Sequence, residues 1–175
     1  TMIEAQELSH DLARRTVALN GLQDRVRLRL GDLRDPAMLP ESEHGSYDLV
    51  LGSPPYFPLG TGGVSPHPQR AACRMELRGD VFDYCRLAAL AVAPDGLFSL
   101  VHSGVDPRPE AALVEAGLVI RSRLDVYFRR DRPNPTIAVW TASLTGPREY
   151  PPRLVIRESD GPHSEAYKVI LKLMV

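Results

Sequence analysis

The sequence predicts an α/β fold whose sheet is mostly parallel and closes with an antiparallel last strand. Strand patterns alternate with segments of helical periodicity along most of the 175 residues, and this alternation favours parallel strands joined by helices. The short apolar run at residues 47–52 is typical of a strand buried inside a parallel sheet. Near the C-terminus two strands are joined by a short loop without a helix, which indicates an antiparallel pair.

Composition is that of an ordinary globular domain. The chain is 43% hydrophobic and 25% charged, and its net charge is -1, so any nucleic-acid site must be a local basic patch. No apolar run approaches the roughly 18 residues of a membrane helix and no signal peptide opens the chain, so we expect a cytoplasmic protein outside the membrane. Cys73 and Cys85 have neither CxxC spacing nor a nearby histidine, so we expect no metal site. Nothing here sets the oligomeric state.

The first half of the chain is predicted to hold short strands around one amphipathic helix. The predicted elements are the end of a strand at residues 1–4, a helix at residues 5–20, a strand at residues 25–30 and the apolar strand at residues 47–52. Residues 1–4 would run straight into the helix with no earlier segment beside them. We therefore expect an N-terminal strand and a glycine-rich loop to be missing before Glu4.

The second half begins with a loop rich in glycine and proline and continues as alternating elements. After the loop at residues 57–68, helical pattern resumes near Arg70; we then predict a helix at 80–93, a strand at 97–102, a helix at 109–116, strands at 118–128 and 136–142, a strand at 153–157 and a helix at 164–173. Residues 1–146 would form the core of one domain. Residues 147–175 would be a C-terminal extension packed on the same domain.

The tetrapeptide Ser53-Pro54-Pro55-Tyr56 carries the most chemical information, because it directly follows the predicted central strand, at the edge where α/β sheets bind ligands. Two prolines hold the backbone and lack amide hydrogens, which leaves the Pro54 carbonyl able to accept a hydrogen bond from substrate. An exocyclic amine on a base is a poor nucleophile, because its lone pair is delocalised into the ring. Hydrogen bonds from the amine to the Ser53 hydroxyl and the Pro54 carbonyl would aim that lone pair at a methyl donor, while Tyr56 stacks on the base.

Two acidic residues that follow strands are candidates for nucleoside binding. Glu4 could accept both hydroxyls of a ribose, or it could be a solvated glutamate in the first turn of a helix. Asp32 could face an adenine amine, or it could be a turn residue that pairs with Arg34. Neither residue alone identifies a cofactor.

Together these segments resemble the bacterial family that methylates the exocyclic amine of an adenine in the anticodon loop of valine tRNA, which is related to the glutamine methyltransferases of release factors. The resemblance covers nearly the whole chain and rests on Ile3-Glu4-Ala5-Gln6, Ala18-Leu19-Asn20-Gly21-Leu22, Gly31-Asp32-Leu33-Arg34-Asp35, Ser53-Pro54-Pro55-Tyr56, and Ser65-Pro66-His67-Pro68 with Arg70, Arg74 and Glu76. It implies the Rossmann-like sheet of class I methyltransferases and S-adenosylmethionine as cofactor.

The resemblance also assigns roles by position. Glu4 would bind the cofactor ribose, Asp32 and Leu33 would bind its adenine, and Ser53 to Tyr56 would hold the target base, with Ser53 also next to the cofactor. The family usually has asparagine where this chain has Ser53, and serine there is familiar from DNA methyltransferases that act on the cytosine amine. The base is therefore left open.

The substrate side is predicted from arginines near the active edge. Arg70, Arg74 and Arg130 could contact phosphates of tRNA, or they could belong to a solvated charged face. His67 and His102 have no partner at ligand spacing, so we expect both to be structural.

The leading hypothesis is a methyltransferase that uses S-adenosylmethionine to modify an adenine amine in tRNA. One alternative is a glutamine methyltransferase acting on a protein such as a release factor, because an amide presents the same planar, delocalised nitrogen. The other is a catalytically inactive, methyltransferase-like RNA-binding protein.

Overall fold

Strands and helices alternate as predicted in the computed structural model, which describes residues 1–61 and 63–174. The strands are β1 (Met2–Glu4), β2 (Leu28–Leu30), β3 (Tyr47–Gly52), β4 (Val92–Ser103), β5 (Val119–Arg129), β6 (Ile137–Ser143) and β7 (Leu154–Arg157). The α-helices are α1 (Glu7–Leu19), α2 (Pro68–Arg74), α3 (Val81–Ala91), α4 (Arg108–Glu115) and α5 (Glu165–Leu173). The predicted α/β class is confirmed.

The larger sheet has the strand order β3-β4-β6-β5-β7. Strand β3 is parallel to β4, β5 is parallel to β7, and β6 runs antiparallel to both of its neighbours. The predicted antiparallel pair is therefore β5 and β6. Strand β7, predicted as an appendage, pairs with β5 and extends the sheet, while α5 packs against β7.

The core lies between this sheet and the helices α3 and α4. Phe98, Leu100 and Trp140 project from β4 and β6 and are almost entirely buried. They pack in one cluster with Leu113 of α4 and with Cys85 of α3. Burial raises the pKa of the Cys85 thiol to about 12, so this cysteine stays protonated near neutral pH.

Strand β4 begins earlier than predicted, because it contains a bulge. The expected helix at residues 80–93 ends at Ala91, and the segment Pro94-Asp95-Gly96, which lies between the predicted helix and the predicted strand, belongs to β4. The pairing passes from Tyr47 opposite Val92 to Leu49 opposite Leu97, so the extra residues bulge out of the ladder. A Cβ on Gly96 would lie 2.7 Å from the Tyr47 carbonyl oxygen, so only glycine fits this close approach.

Strands β1 and β2 form a second, two-stranded parallel sheet. Strand β2 is shorter than the predicted 25–30, because the amides of Arg25 and Val26 bond back to the Leu22 carbonyl in a turn. One carboxylate joins this small sheet to the larger one. Glu43 accepts hydrogen bonds from Arg29 of β2 and from the Tyr47 hydroxyl at the start of β3.

Candidate active site

A cleft of about 240 Å³ lies where the carboxyl ends of β1, β2 and β3 come together. We call it the strand-end cleft; among its lining residues are Glu4, Leu33, Ser53, Pro55, Arg78 and Tyr84. Three of the four residues predicted to hold a cofactor, Glu4, Leu33 and Ser53, therefore share one cavity, although the first and the last are 49 positions apart in the sequence. Only the sheet topology brings them together.

Glu4 ends β1 and faces the strand-end cleft. Its Oε1 accepts the backbone N–H of Gln6 at 2.8 Å, which turns the chain from the strand toward α1. Within the described residues, Oε2 has no hydrogen-bond partner. A carboxylate held at the cleft wall by one oxygen can accept hydroxyl donors with the other.

Asp32 follows β2 but is engaged by its neighbour. Both of its carboxylate oxygens accept from Arg34, at 2.9 Å from Nε and 2.6 Å from Nη2. Hydrogen bonding by Arg34 holds the pKa of Asp32 below its ordinary value. Of the two roles considered for Asp32, the structure therefore shows the pairing with Arg34. Gly31 and Leu33, on either side of Asp32, line the strand-end cleft.

The tetrapeptide leaves β3 at a tightly packed point. Gly52 is buried, and a Cβ there would lie 3.1 Å from Cε2 of Phe98 and 3.3 Å from Cδ1 of Tyr84. Beyond it Ser53 is exposed, whereas the Pro54 ring is fully buried. In residues 1–61 and 63–174 neither the Ser53 hydroxyl nor the Pro54 carbonyl has a hydrogen-bond partner. The turn is anchored by its apolar part; of its two predicted acceptors, the Ser53 hydroxyl belongs to a residue that lines the strand-end cleft, whereas Pro54 is buried and is not among the lining residues.

Tyr56 is half-buried and packs on a histidine that sequence reasoning treated as structural. The ring centroids of Tyr56 and His102 are 4.7 Å apart, with the planes tilted by 45°. His102 lies near the end of β4, the strand that pairs with β3. The one feature of the sequence that could have identified His102 as a site residue is its position at the carboxyl end of a strand, but a core residue can occupy the same position.

A second cleft, of about 460 Å³, lies beside the segment that follows the tetrapeptide. We call it the loop cleft; its lining includes Phe57, Ser65, Arg70, Arg74 and Met75. The amide of Phe57 donates to the Arg74 carbonyl at 3.1 Å, so α2 is tied to the residue after Tyr56. The loop cleft therefore opens next to the tetrapeptide.

The predicted arginines differ in their surroundings. Arg70 and Arg74 are exposed and form no ion pair with a carboxylate in the part of the chain that the structure describes. Arg74 also lies over the Phe57 ring, 5.3 Å from its centroid. Arg130 lines neither of the two clefts, and it makes a bidentate contact with the carboxylate of Glu158.

The described residues contain neither a cluster of metal ligands nor a membrane-spanning helix. No three or more His, Cys, Asp or Glu side chains are grouped so as to hold a metal ion. Among these residues there is also no helix with the length and apolar character needed to cross a bilayer.

Comparison with known proteins identifies the fold. The chain is similar to a predicted O-methyltransferase from Agrobacterium tumefaciens, with a TM-score of 0.63 and 17% identity over 97% of this chain and 73% of that one. A geranyl diphosphate C-methyltransferase from Streptomyces coelicolor, solved with S-adenosyl-L-homocysteine, gives 0.53 and 11% over 82% and 64%. The cyclase SpnF gives 0.55 and 13% over 84% and 65%. No protein-family profile and no curated protein matches the sequence.

These similarities confirm the predicted Rossmann-like α/β fold, which this chain shares with the methyltransferases among these proteins. At such low identities they concern the fold alone. One of the proteins with this fold is a cyclase, so the reaction has to be argued from the site.

Proposed function

We propose that this protein is a methyltransferase that uses S-adenosylmethionine to methylate an exocyclic amine, with an adenine in tRNA as the substrate. The observation that carries the proposal is the position of Ser53-Pro54-Pro55-Tyr56. Ser53, directly after β3, and Pro55 line the same cleft as Glu4, and the carbonyl of Pro54 between them is the second proposed acceptor. An amine donor placed there would be next to a bound cofactor.

The residues of the strand-end cleft fit the proposed cofactor. The Glu4 carboxylate has one oxygen without a hydrogen-bond partner in the described chain, and this oxygen could accept hydrogen bonds from the ribose hydroxyls. Leu33 and Ile3 supply apolar surface for an adenine ring. Asp32 remains a prediction, because an adenine amine would have to share its carboxylate with Arg34.

Methyl transfer to an exocyclic amine depends on orienting the amine toward the methyl group rather than on strong acid–base catalysis. When bound, S-adenosylmethionine supplies a methyl group on a positively charged sulfur, which leaves as a neutral thioether. Ser53 Oγ and the Pro54 carbonyl would each accept one N–H of the amine and direct its lone pair at the methyl carbon. Once it carries the methyl group, the amine nitrogen would release one proton to water.

Arginines beside the tetrapeptide favour nucleic acid as the substrate. Arg70 and Arg74 carry charges that no carboxylate of the described residues neutralises, and they line a cleft beside Phe57. Such residues position a phosphate backbone without reading sequence. A glutamine side chain would need the same two acceptors but no basic cleft.

The assay is transfer of labelled methyl from S-adenosylmethionine to total tRNA, followed by nucleoside analysis. Label on methylated adenosine would establish the proposal. Label on a release factor and none on tRNA would reassign the enzyme to glutamine, and no transfer to either would leave an RNA-binding protein without this activity.

Replacing the stacking residue tests the site itself. Tyr56→Ala should lower kcat/KM for tRNA by about ten- to a hundredfold, since base stacking contributes about 1–3 kcal/mol. Cofactor affinity, measured by calorimetry, should change little. Tyr56→Phe should keep most of the activity.

A matched control is Tyr150→Ala, because Tyr150 is 83% exposed and lines neither cleft. Equal activity of Tyr56→Ala and Tyr150→Ala would remove Tyr56 from the site.

A further inference from the structure

His102 is a buried imidazole at the back of the proposed site. Its side chain is inaccessible to solvent, and its ring lies against the Tyr56 ring. The carbonyls of Pro55 and Ser103 face the imidazole, yet neither ring nitrogen makes a hydrogen bond of good geometry within residues 1–61 and 63–174. A buried polar group left unsatisfied costs about 1–3 kcal/mol. A phenylalanine would pack against Tyr56 without that cost, so the presence of two buried imidazole nitrogens at this position needs an explanation.

One set of charged side chains links His102 to the backbone of the tetrapeptide. Nδ1 of His102 lies 3.7 Å from Oδ2 of Asp106, just beyond hydrogen-bond length. The Arg108 guanidinium donates to that Asp106 oxygen at 2.7 Å and to Glu76 at 2.7 Å. Its Nη2 also approaches the Tyr56 carbonyl oxygen, at 3.4 Å. Tyr56 is therefore contacted by its ring through His102 and by its main chain through Arg108.

We propose that His102 is a positioning residue for the methyl transfer: held between Asp106 and Tyr56, its imidazole sets the plane of the tyrosine ring on which the target base stacks. The inference rests on the proposed function, because it assigns Tyr56 the stacking role. His102 touches neither substrate nor cofactor in this scheme. It acts through Tyr56.

The protonation state of the imidazole matters to this role. Burial lowers the pKa of His102 below its ordinary value, and Arg108 adds to the lowering, while the charge of Asp106 opposes it. The ring is thus neutral near pH 7. Across the sheet, His102 pairs with Ala138 of β6, which carries no charge. Protonation at lower pH would draw the ring toward Asp106 and away from Tyr56, so activity should decline on the acid side.

The decisive variant is His102→Phe, which keeps a planar ring but removes both nitrogens. It should lower kcat for tRNA methylation about ten- to a hundredfold, because a small misalignment in the site is costly. KM for S-adenosylmethionine should be unchanged, and the acid limb of the pH profile should disappear. The control is His163→Phe, since His163 packs edge-on against Tyr167 at 5.2 Å in the C-terminal segment and outside both clefts. Wild-type kcat with an unchanged acid limb in His102→Phe would overturn the proposal.

A second measurement needs no substrate. With ring-labelled tyrosine, the NMR signals of Tyr56 should shift with pH in step with the His102 imidazole, and this titration should vanish in His102→Phe. Tyr56 chemical shifts that do not change over the pH range in which His102 titrates would overturn the proposal. Methyl transfer by the wild-type protein tests the proposed function separately. A failure of that function can therefore be distinguished from a failure of the positioning role of His102. Should His102→Phe fail to fold, Asp106→Asn is expected to lower the His102 pKa further and move the Tyr56 titration with it.

Discussion

At the scale of single residues, the site depends on how closely the backbone of β3 approaches the core. Gly52 has no side chain, and the Phe98 and Tyr84 rings occupy the space that a Cβ would need. The next residue, Ser53, is exposed in the strand-end cleft. Core packing on one side of Gly52 therefore sets the position of the proposed acceptor oxygens on the other.

Gly52→Ala should disturb both stability and activity. The added methyl must displace Phe98 or Tyr84, and overpacking of this kind costs about 1–3 kcal/mol of unfolding free energy. Ser53 and Pro55 would shift as well, so methyl transfer should fall. Chemical unfolding followed through Trp140 and the tRNA assay would measure the two effects.

Gly63→Ala is the comparison for unfolding, because no atom of the described residues lies within 4 Å of a Cβ built there. A Gly52→Ala protein as stable as Gly63→Ala would contradict the packing argument.

At the scale of elements, the two sheets are joined through Glu43 rather than through ladder hydrogen bonds. Glu43 accepts from Arg27 at 2.9 Å, and also from Arg29 and the Tyr47 hydroxyl. Hydrogen bonding by Arg29, and then by Tyr47, lowers the pKa of Glu43 from 4.5 to about 2. This carboxylate holds β2 beside β3, and Gly31 and Ser53, the residues that directly follow the two strands, line the strand-end cleft.

Glu43→Gln should lower the melting temperature at pH 7, because the ionised carboxylate is the form that the native state binds. A depressed pKa in the folded state means that this stabilisation is present above about pH 4.5 and is lost as the pH falls toward about 2. The gap in melting temperature between wild type and variant should therefore narrow over that range.

Glu41→Gln provides the control, since Glu41 is exposed and forms no ion pair in the described chain. Equal melting temperatures for the wild type and Glu43→Gln at pH 7 would show that the contacts of the Glu43 carboxylate do not hold the two sheets together.

At the scale of the whole molecule, charge is nearly balanced, so RNA affinity must come from a local patch. Most acidic residues near the arginines are already paired with them, as Asp11 is with Arg14 and Arg15. Arg70 and Arg74 have no such partner within residues 1–61 and 63–174, and they are the two arginines that line the loop cleft there. Arg130, paired with Glu158, has less charge available for phosphate.

The double variant Arg70→Gln/Arg74→Gln should weaken tRNA binding and reduce the slope of log Kd against log salt by about 2, about one unit for each lost phosphate contact. Fluorescence anisotropy over a range of salt concentrations measures this directly. Arg14→Gln/Arg15→Gln removes the same charge from the exposed face of α1 and should leave the slope nearly unchanged. Identical slopes for the two double variants would show that the loop cleft does not contact phosphate.

Local pattern predicted most elements, and its errors have local causes. Strand β3 lies at the predicted residues 47–52, because a short apolar run between polar turns has few alternatives. Helix α3 begins at Val81 after an Asp80 capping box, close to the predicted start. The helix ends at Ala91, within two residues of the predicted end, but residues 92–96 form the start of β4 instead of a loop, because the neighbouring β3 backbone pairs with Val92 and packs against Gly96.

The α/β class, the order of the elements and the position of the tetrapeptide after a strand follow from the sequence, since each depends on residues close together along the chain. The tertiary structure alone decided that Glu4, Leu33 and Ser53 line one cleft, that Arg34 engages Asp32, and that His102 and Arg108 contact Tyr56. Periodicity reports which side of an element is buried but not which element it is buried against. That choice follows from strand order and from contacts between residues far apart along the chain, such as Tyr56 and Arg108, which are 52 positions apart.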